Sequence, residues 1–422
     1  MLLMAVPFHL IWFTTAAALN WDYPDNASYP WSGPDVYVEM AKVLETRGKF
    51  DAVVLADSDG ISTAYRGVID TYVKYGSEMV GKGDPLPIFA AMAGATRQIG
   101  LVPTLSTTFF TPQLLAQTVA SLDHLSNGRS GWNIVTSIGD YNAQNYGMDR
   151  LPEGDARYDR ADAVVQEAEA LWRQAREAAA GESHSGLYMP SPPQGRPVYM
   201  QAGGSERGRE FAARYAEITI IHSNSIGAMK RYRDDIRARM IRIGRDPDSC
   251  KVFYTAKAIV ADSKEEAEAL YARHKLRKVL DLEAGLANFS SRIGYDFSKL
   301  ELDEPVPHDL PIWGSTGQLQ QHVEKGRSPT LREIGRIEGI KESYMALGTP
   351  EQIADQFAEH MEKIGGDGFA MRETLHPSNV LPVVDRLVPV LRSRGLIRSD
   401  YRYPTFRENL MDPDFNKPVK QG

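Results

Sequence analysis

The sequence predicts a single α/β domain, a (β/α)8 TIM barrel with helical insertions, and three observations carry that prediction. Short apolar runs of strand length alternate with amphipathic stretches of helix length through most of the 422 residues, the pattern of βα units around a parallel sheet. Eight such runs occur, the number that closes a barrel. Hydroxyl and carboxylate residues follow the carboxyl ends of several runs, where α/β proteins place their ligands. A doubly wound open sheet shares the first signal, and periodicity alone leaves it open.

The first run, Ala5 to Phe13, lies in a mostly apolar stretch from Met1 to Leu19. That stretch lacks the basic start of a secretory leader, since the first Lys or Arg is Lys42 and His9 interrupts it. It therefore reads as a buried strand of a cytoplasmic protein. Val36, Met40, Val43 and Leu44 form the next helical stripe, and Phe50 to Asp57 is a strand ending in a carboxylate. Ile99 to Ser106 is the third strand, although Pro103 argues against a central place for it. A helix carrying Leu115, Val119 and Leu122 stops at Asn127-Gly128, and Trp132 to Thr136 follows as the fourth strand. Val198–Gln201, Ile218–Ile221, Val252–Val260 and Gly368–Met371 complete the set. Residues 262–365 are too long for one connecting helix. Helix starts at Ser263 and at Thr349-Pro350-Glu351-Gln352 predict helical insertions over the barrel rim, a lid within the one domain 1–422. The polar, proline-bearing tail, residues 400–422, is expected to be an arm reaching a neighbouring subunit of a homo-oligomer, a dimer or tetramer.

Composition excludes several classes. The net charge is −7 and no basic stripe appears, which argues against nucleic acid. No segment has the length of a membrane span. Cys250 is the one cysteine, so no intrachain disulfide forms, and a bystander thiol is the expected role. No His or Cys spacing suits a metal.

Four places carry chemistry. Gln201-Ala202-Gly203-Gly204-Ser205-Glu206-Arg207 follows a strand and opens a helix, so free N–H groups, Ser205 and Arg207 would suit a phosphate. It reads equally as an ordinary turn with a serine cap. Asp57 suits either a turn carboxylate or a ligand contact, and Thr104 either packing or a ligand contact. Arg372 and His376, just past the last strand, would meet a polar or anionic substrate, or pair within their own loop.

The string Ser126-Asn127-Gly128-Arg129-Ser130-Gly131-Trp132-Asn133-Ile134-Val135-Thr136-Ser137 resembles the signature of the bacterial luciferase-like flavin monooxygenases, in the branch of nitrilotriacetate and dibenzothiophene sulfone monooxygenases. Gly294-Tyr295-Asp296-Phe297-Ser298 and Gly366-Asp367-Gly368-Phe369 extend the resemblance, which runs from about Val36 to Leu410. It implies FMN, taken up as FMNH2 from a separate NAD(P)H-dependent flavin reductase, and O2 as co-substrate, with one oxygen atom inserted into a small cyclic or polar organic molecule. It also implies a flavin site made by Asp57, Thr104, Asn133, Ser137, Tyr158, Gly204 and Ser205. One departure stands out: the family motif His-Asp-x-Arg-Tyr reads Gly154-Asp155-Ala156-Arg157-Tyr158 here. Two rival readings share the fold, an F420-dependent dehydrogenase and a flavin-binding protein without turnover.

Overall fold

The computed structural model describes residues 6–16, 34–75, 82–181, 186–280, 282–307, 309–312, 329–340 and 343–418. Nine parallel strands form one sheet: β1 (His9–Thr15), β2 (Ala52–Ala56), β3 (Gly100–Ser106), β4 (Gly131–Val135), β5 (Val198–Gln201), β6 (Ile218–Ile221), β7 (Lys251–Val260), β8 (Tyr344–Gly348) and β9 (Gly368–Met371). Eight of them close a barrel. β1 to β6 pair in chain order, β6 pairs β7, β7 pairs β9, and β9 returns to β1. The open-sheet alternative is thereby excluded.

Strand parity sorts the side chains into two cores. Ile11, Ala52, Val54, Val102, Val198, Met200, Ile218, Ile220, Phe253 and Ala370 fill the barrel interior. Alternate positions such as Leu10, Trp12, Val53, Leu101, Val252, Tyr254 and Phe369 pack outward against the helices. Trp12 belongs to this outer layer and donates its indole N–H to the Glu373 carbonyl at 2.8 Å.

Two elements differ from the sequence expectation. Pro103 sits in a central strand after all, paired with Leu55 of β2. Its missing N–H falls on the β4 side, where the ladder splits into a lone Leu101–Ser130 bridge and a run starting at Thr104. Second, β8 lies inside the span read as helical. It pairs along Ala256–Val260 at the upper end of β7, and the short apolar run Tyr344-Met345-Ala346-Leu347 that forms it was passed over in the sequence reading. The Thr349–Gln352 capping box then opens the helix Pro350–Ile364, which buries Ile353, Phe357 and Met361 against the barrel.

Between β7 and β8 the helices Lys264–Leu280, Leu282–Ile293 and Leu331–Ile340 form a module with its own apolar cluster. Phe289, Ile293, Phe297 and Ile334 pack there with Tyr65 and Tyr72 from the segment after β2, Tyr72 lying in its short helix Asp70–Lys74. Asp296, in the stretch Gly294–Ser298, accepts the Arg66 amide at 3.0 Å and so ties the module to that loop.

The opposite, amino-terminal end of the barrel is closed by the chain's own carboxyl-terminal segment. Phe406 is buried against Gly100, where a Cβ would stand 2.7 Å from its ring. Only glycine allows that approach. Arg407 donates to the buried Glu217 at 2.6 Å, and Arg196 donates to the same carboxylate at 2.7 Å. Replacing Phe406 by Ala should cost about 3–5 kcal/mol by urea unfolding, because it empties a fully buried ring from the barrel foot, beside Leu410.

Candidate active site

The carboxyl ends of β2, β3 and β4 surround a cavity of ≈ 90 Å³ lined by Asp57, Asp59, Asp84, Thr104, Ser106, Phe110, Ser137 and Tyr146 among others. Asp57 follows β2, accepts the Ser58 amide at 2.9 Å and pairs with Lys82. Burial pushes its carboxyl up from the ordinary value, and the lysine opposes that shift. Asp59 is pushed up by the same cause, while a hydrogen bond from Tyr146 works against it. Tyr146 in turn stacks on Phe109 at 4.3 Å.

Below the cavity a polar chain runs through the barrel wall. The Thr104 hydroxyl donates to the Leu55 carbonyl at 2.8 Å and accepts from Asn133 Nδ2 at 2.8 Å. Asn133 Oδ1 is buried without a hydrogen-bond partner. Ser137 holds a left-handed backbone, φ 58°, and donates to Ser106 Oγ at 2.8 Å. Such a conformation in a non-glycine residue costs of order 1–3 kcal/mol and clusters at functional sites.

One strand further on, the β5 turn forms a second group. Ser205 caps the helix Glu206–Tyr215 by accepting the Gly208 amide at 3.1 Å. The Tyr158 hydroxyl accepts from Gln201 Nε2 at 3.2 Å and lies over Gly203 and Gly208, where a Cβ on either would stand 2.6 Å from it. Burial holds the phenol protonated by raising its pKa. Gln201 Oε1 is buried without a partner. Gly204 is exposed beside this group and offers its carbonyl to Arg209 at 2.9 Å. Arg207 does not face the turn as its position in the motif suggested. Its guanidinium binds Asp159 and Asp162 on the helix Gly154–Ala179 instead.

Thus Asp57, Thr104 and Ser137 line one cavity with Asn133 beneath, while Tyr158, Gly204 and Ser205 form the adjoining turn. Arg372 and His376 stand apart, after β9. The Arg372 amide continues the strand ladder to the Ala256 carbonyl at 2.8 Å. His376 caps the helix Pro377–Pro382 by accepting the Ser378 amide at Nδ1, 3.2 Å, and half-burial lowers its pKa, so the ring is neutral. A Cβ placed on Gly154 would meet nothing closer than Arg157 Nη2, 4.0 Å away, so the position has room for a side chain. Lys82 and Tyr146 escaped the sequence reading, and only their neighbours in space, not any motif, mark them. Cys250 is buried and its thiol is pushed up to about 12, an inert group. Among the described residues no cluster suits a metal, and no helix is long and apolar enough to cross a membrane.

Residues 9–368 match the sequence model of the luciferase-like monooxygenases. The dibenzothiophene-sulfone monooxygenase of Rhodococcus erythropolis (strain XP) is 34% identical over 438 residues, 95% of this chain and 96% of that protein. Nitrilotriacetate monooxygenase component A of Aminobacter aminovorans is 32% identical, over 93% and 92% of the two chains. A crystal structure of riboflavin lyase with modified FMN and substrate riboflavin has a TM-score of 0.84 at 27% identity, covering 97% of each chain. With the closed parallel barrel and these full-length relatives in hand, the chain belongs to the luciferase-like family and is a flavin-dependent monooxygenase.

Proposed function

We propose that the protein takes reduced FMN from a separate NAD(P)H-dependent flavin reductase and uses it with O2 to insert one oxygen atom into a small cyclic or polar organic substrate in the cytoplasm. The observation that carries this reading is the β5 turn, where two glycines let the Tyr158 hydroxyl approach a helix amino terminus, a place that suits an anion. The residues fit FMN in a second respect. The orphaned oxygens of Asn133 and Gln201 are buried acceptors awaiting donors, which the ring N–H groups and ribityl hydroxyls of FMN can supply.

Ser205, Tyr158 and the free amides at residues 206 and 207 would hold the phosphate. Thr104, Asn133 and Ser137 would fix the ring, and Asp57 would face it from β2. Reduced FMN, when bound, supplies the electrons that activate O2. The apolar barrel floor of Ile220, Met200 and Phe253 keeps water from below the site, and the helical module between β7 and β8 is proposed as the cover above it. Burial pushes the Asp57 carboxyl toward its neutral form, and the Lys82 ammonium beside it works the other way.

The test is anaerobic titration with FMNH2, followed by rapid mixing with oxygenated buffer. Tight binding and fast flavin oxidation are expected. Ser205→Ala should weaken binding by about 1–3 kcal/mol, the worth of a charge-assisted hydrogen bond. Gly203→Ala should weaken it further, because its methyl group displaces Gln201 and Tyr158 together. Unchanged affinity in both variants would remove the cradle. Reduction of F420 with no FMNH2 binding would replace the oxygenase reading with a dehydrogenase, and binding without turnover would leave a carrier.

A further inference from the structure

The outer face of a parallel barrel strand is ordinarily apolar, because helices pack on it. β6 departs from that at one position. Ile218 and Ile220 belong to the barrel interior, so Thr219 between them points outward. There it is fully buried, and its Oγ1 lies 2.7 Å from the hydroxyl of Tyr232, a buried residue of the helix Ile226–Arg242. Met229, Ile236 and Val252 belong with Tyr232 to the same outer core. Two hydroxyls in such a layer are costly to bury unless both are hydrogen-bonded, and valine with phenylalanine would pack as well.

The other bond of the phenol gives the pair a direction. The Tyr232 hydroxyl is 3.3 Å from the carbonyl oxygen of Gly203, in the turn after β5. A carbonyl only accepts and a phenol carries one hydrogen. Tyr232 therefore donates to Gly203, and Thr219 donates to Tyr232. Burial raises the Tyr232 pKa and keeps that hydrogen in place. Gly203 is thus held by two phenols from two helices. Tyr232 takes its carbonyl, and the Tyr158 hydroxyl stands 2.6 Å from where a Cβ would be.

The Gly203–Gly204 peptide is trans, so its carbonyl and its N–H point in opposite directions. With the carbonyl drawn to a buried phenol, the Gly204 N–H is aimed away from the core. Gly204 is exposed, and a Cβ on it would meet nothing within 4 Å. Its N–H makes no hydrogen bond among the described residues, while its carbonyl is taken by Arg209 at 2.9 Å. This amide precedes the open amides of the helix Glu206–Tyr215 by two residues, at the end where an anion is favoured.

We propose that Tyr232, oriented by Thr219, is a positioning residue that aims the Gly204 amide at the phosphate of the bound flavin. Neither side chain touches the flavin. Two adjacent glycines have no side chains to brace the turn, so without the phenol the peptide is free to rotate and the donor is lost. The role rests on the phosphate cradle proposed above, and it ties that cradle to β6.

The test is anaerobic titration of the protein with reduced FMN and with reduced riboflavin, which differ only in the phosphate. The parent protein is expected to bind reduced FMN at least ~10-fold more tightly. Tyr232→Phe should weaken reduced FMN by about 3- to 10-fold and leave reduced riboflavin within roughly twofold. Thr219→Val should shift the ratio in the same direction, and Thr219→Ser, which keeps the donor, should preserve it. A change that only loosened the fold would weaken both flavins alike. Equal weakening of the two, or an unchanged ratio in Tyr232→Phe and Thr219→Val, would overturn the positioning role and leave the cradle standing. Equal binding of the two flavins by the parent protein would remove the cradle and the role together. If Tyr232→Phe fails to fold, Thr219→Val decides the comparison.

Discussion

Arg398→Met should lower the unfolding free energy by about 3–5 kcal/mol, because it strands a buried carboxylate at the foot of the barrel. Asp51 and Arg398 are both fully enclosed, and Arg398 Nη2 reaches Asp51 Oδ1 at 2.5 Å and the Asn409 carbonyl at 2.7 Å. His9 Nδ1 donates to the same Asp51 oxygen at 3.0 Å, and the Leu10 amide donates to the other at 3.0 Å. His9 also stacks on Phe415 at 4.0 Å. One carboxylate thus joins the first strand, the second strand's entry and the carboxyl-terminal segment. Paired removal, Asp51→Asn with Arg398→Met, should cost less than the sum of the single changes, since neither partner is then left charged and alone. A double-mutant cycle in urea checks this, and additive losses would show that the two groups do not act together.

The same pair sets an acid limit. Burial by itself would raise the Asp51 pKa, but Arg398 and His9 outweigh it and hold the carboxyl well below the usual range. A carboxylate with a depressed folded pKa adds stability that is complete above its unfolded pKa of about 3.9 and drains away as pH falls below that. The parent protein should therefore lose stability steeply below about pH 4, and Asp51→Asn should flatten that slope. Parallel pH profiles of the urea midpoint would sink the assignment.

Arg129→Met should be as damaging, a loss of about 4 kcal/mol or more. The Arg129 guanidinium is buried and forms no ion pair among the described residues, with Glu45 and Asp123 acting on it only at longer range. It donates instead to the carbonyls of Ser126 at 2.6 Å, Ile99 at 2.9 Å, Ala93 at 3.2 Å and Thr96 at 3.1 Å, and to the Thr96 hydroxyl at 2.9 Å. Burial lowers its pKa to about 10, so it stays charged at neutral pH. Removing it leaves those carbonyls inside the protein without donors. Arg129→Lys should recover little, because one ammonium cannot span the fork of acceptors. Full recovery by lysine in thermal unfolding would mean that charge, not geometry, matters here.

Arg129 also shows how the signature around it divides. Ser126 to Ser130 wires the lower end of the barrel: Asp123 accepts the Ser130 amide at 3.1 Å and Gln194 Nε2 at 2.7 Å. Asn133 to Ser137, a few residues later, reaches the mouth, because β4 carries the chain from one end of the barrel to the other. A motif met as one string therefore serves two ends of the molecule. The glycine-rich turn was legible because a strand, glycines and a capping serine are adjacent in the chain. Arg207 was misplaced for the opposite reason, since Asp159 and Asp162 that draw it away lie on another helix.

The barrel class, eight of the nine strand positions within a few residues, the capped helix starts and the glycine-serine turn after β5 were legible in the sequence itself. They rest on hydrophobic period and turn chemistry, which act over a handful of neighbouring residues. Only the tertiary structure decided that β8 joins the upper edge of β7 and that Phe406 plugs the barrel foot. Each depends on closure of the sheet, which brings together groups as far apart in the chain as Asp51 and Arg398, 347 residues from each other. Side-chain direction on a strand alternates, so a residue's face is known only once its neighbours' register is set by closure.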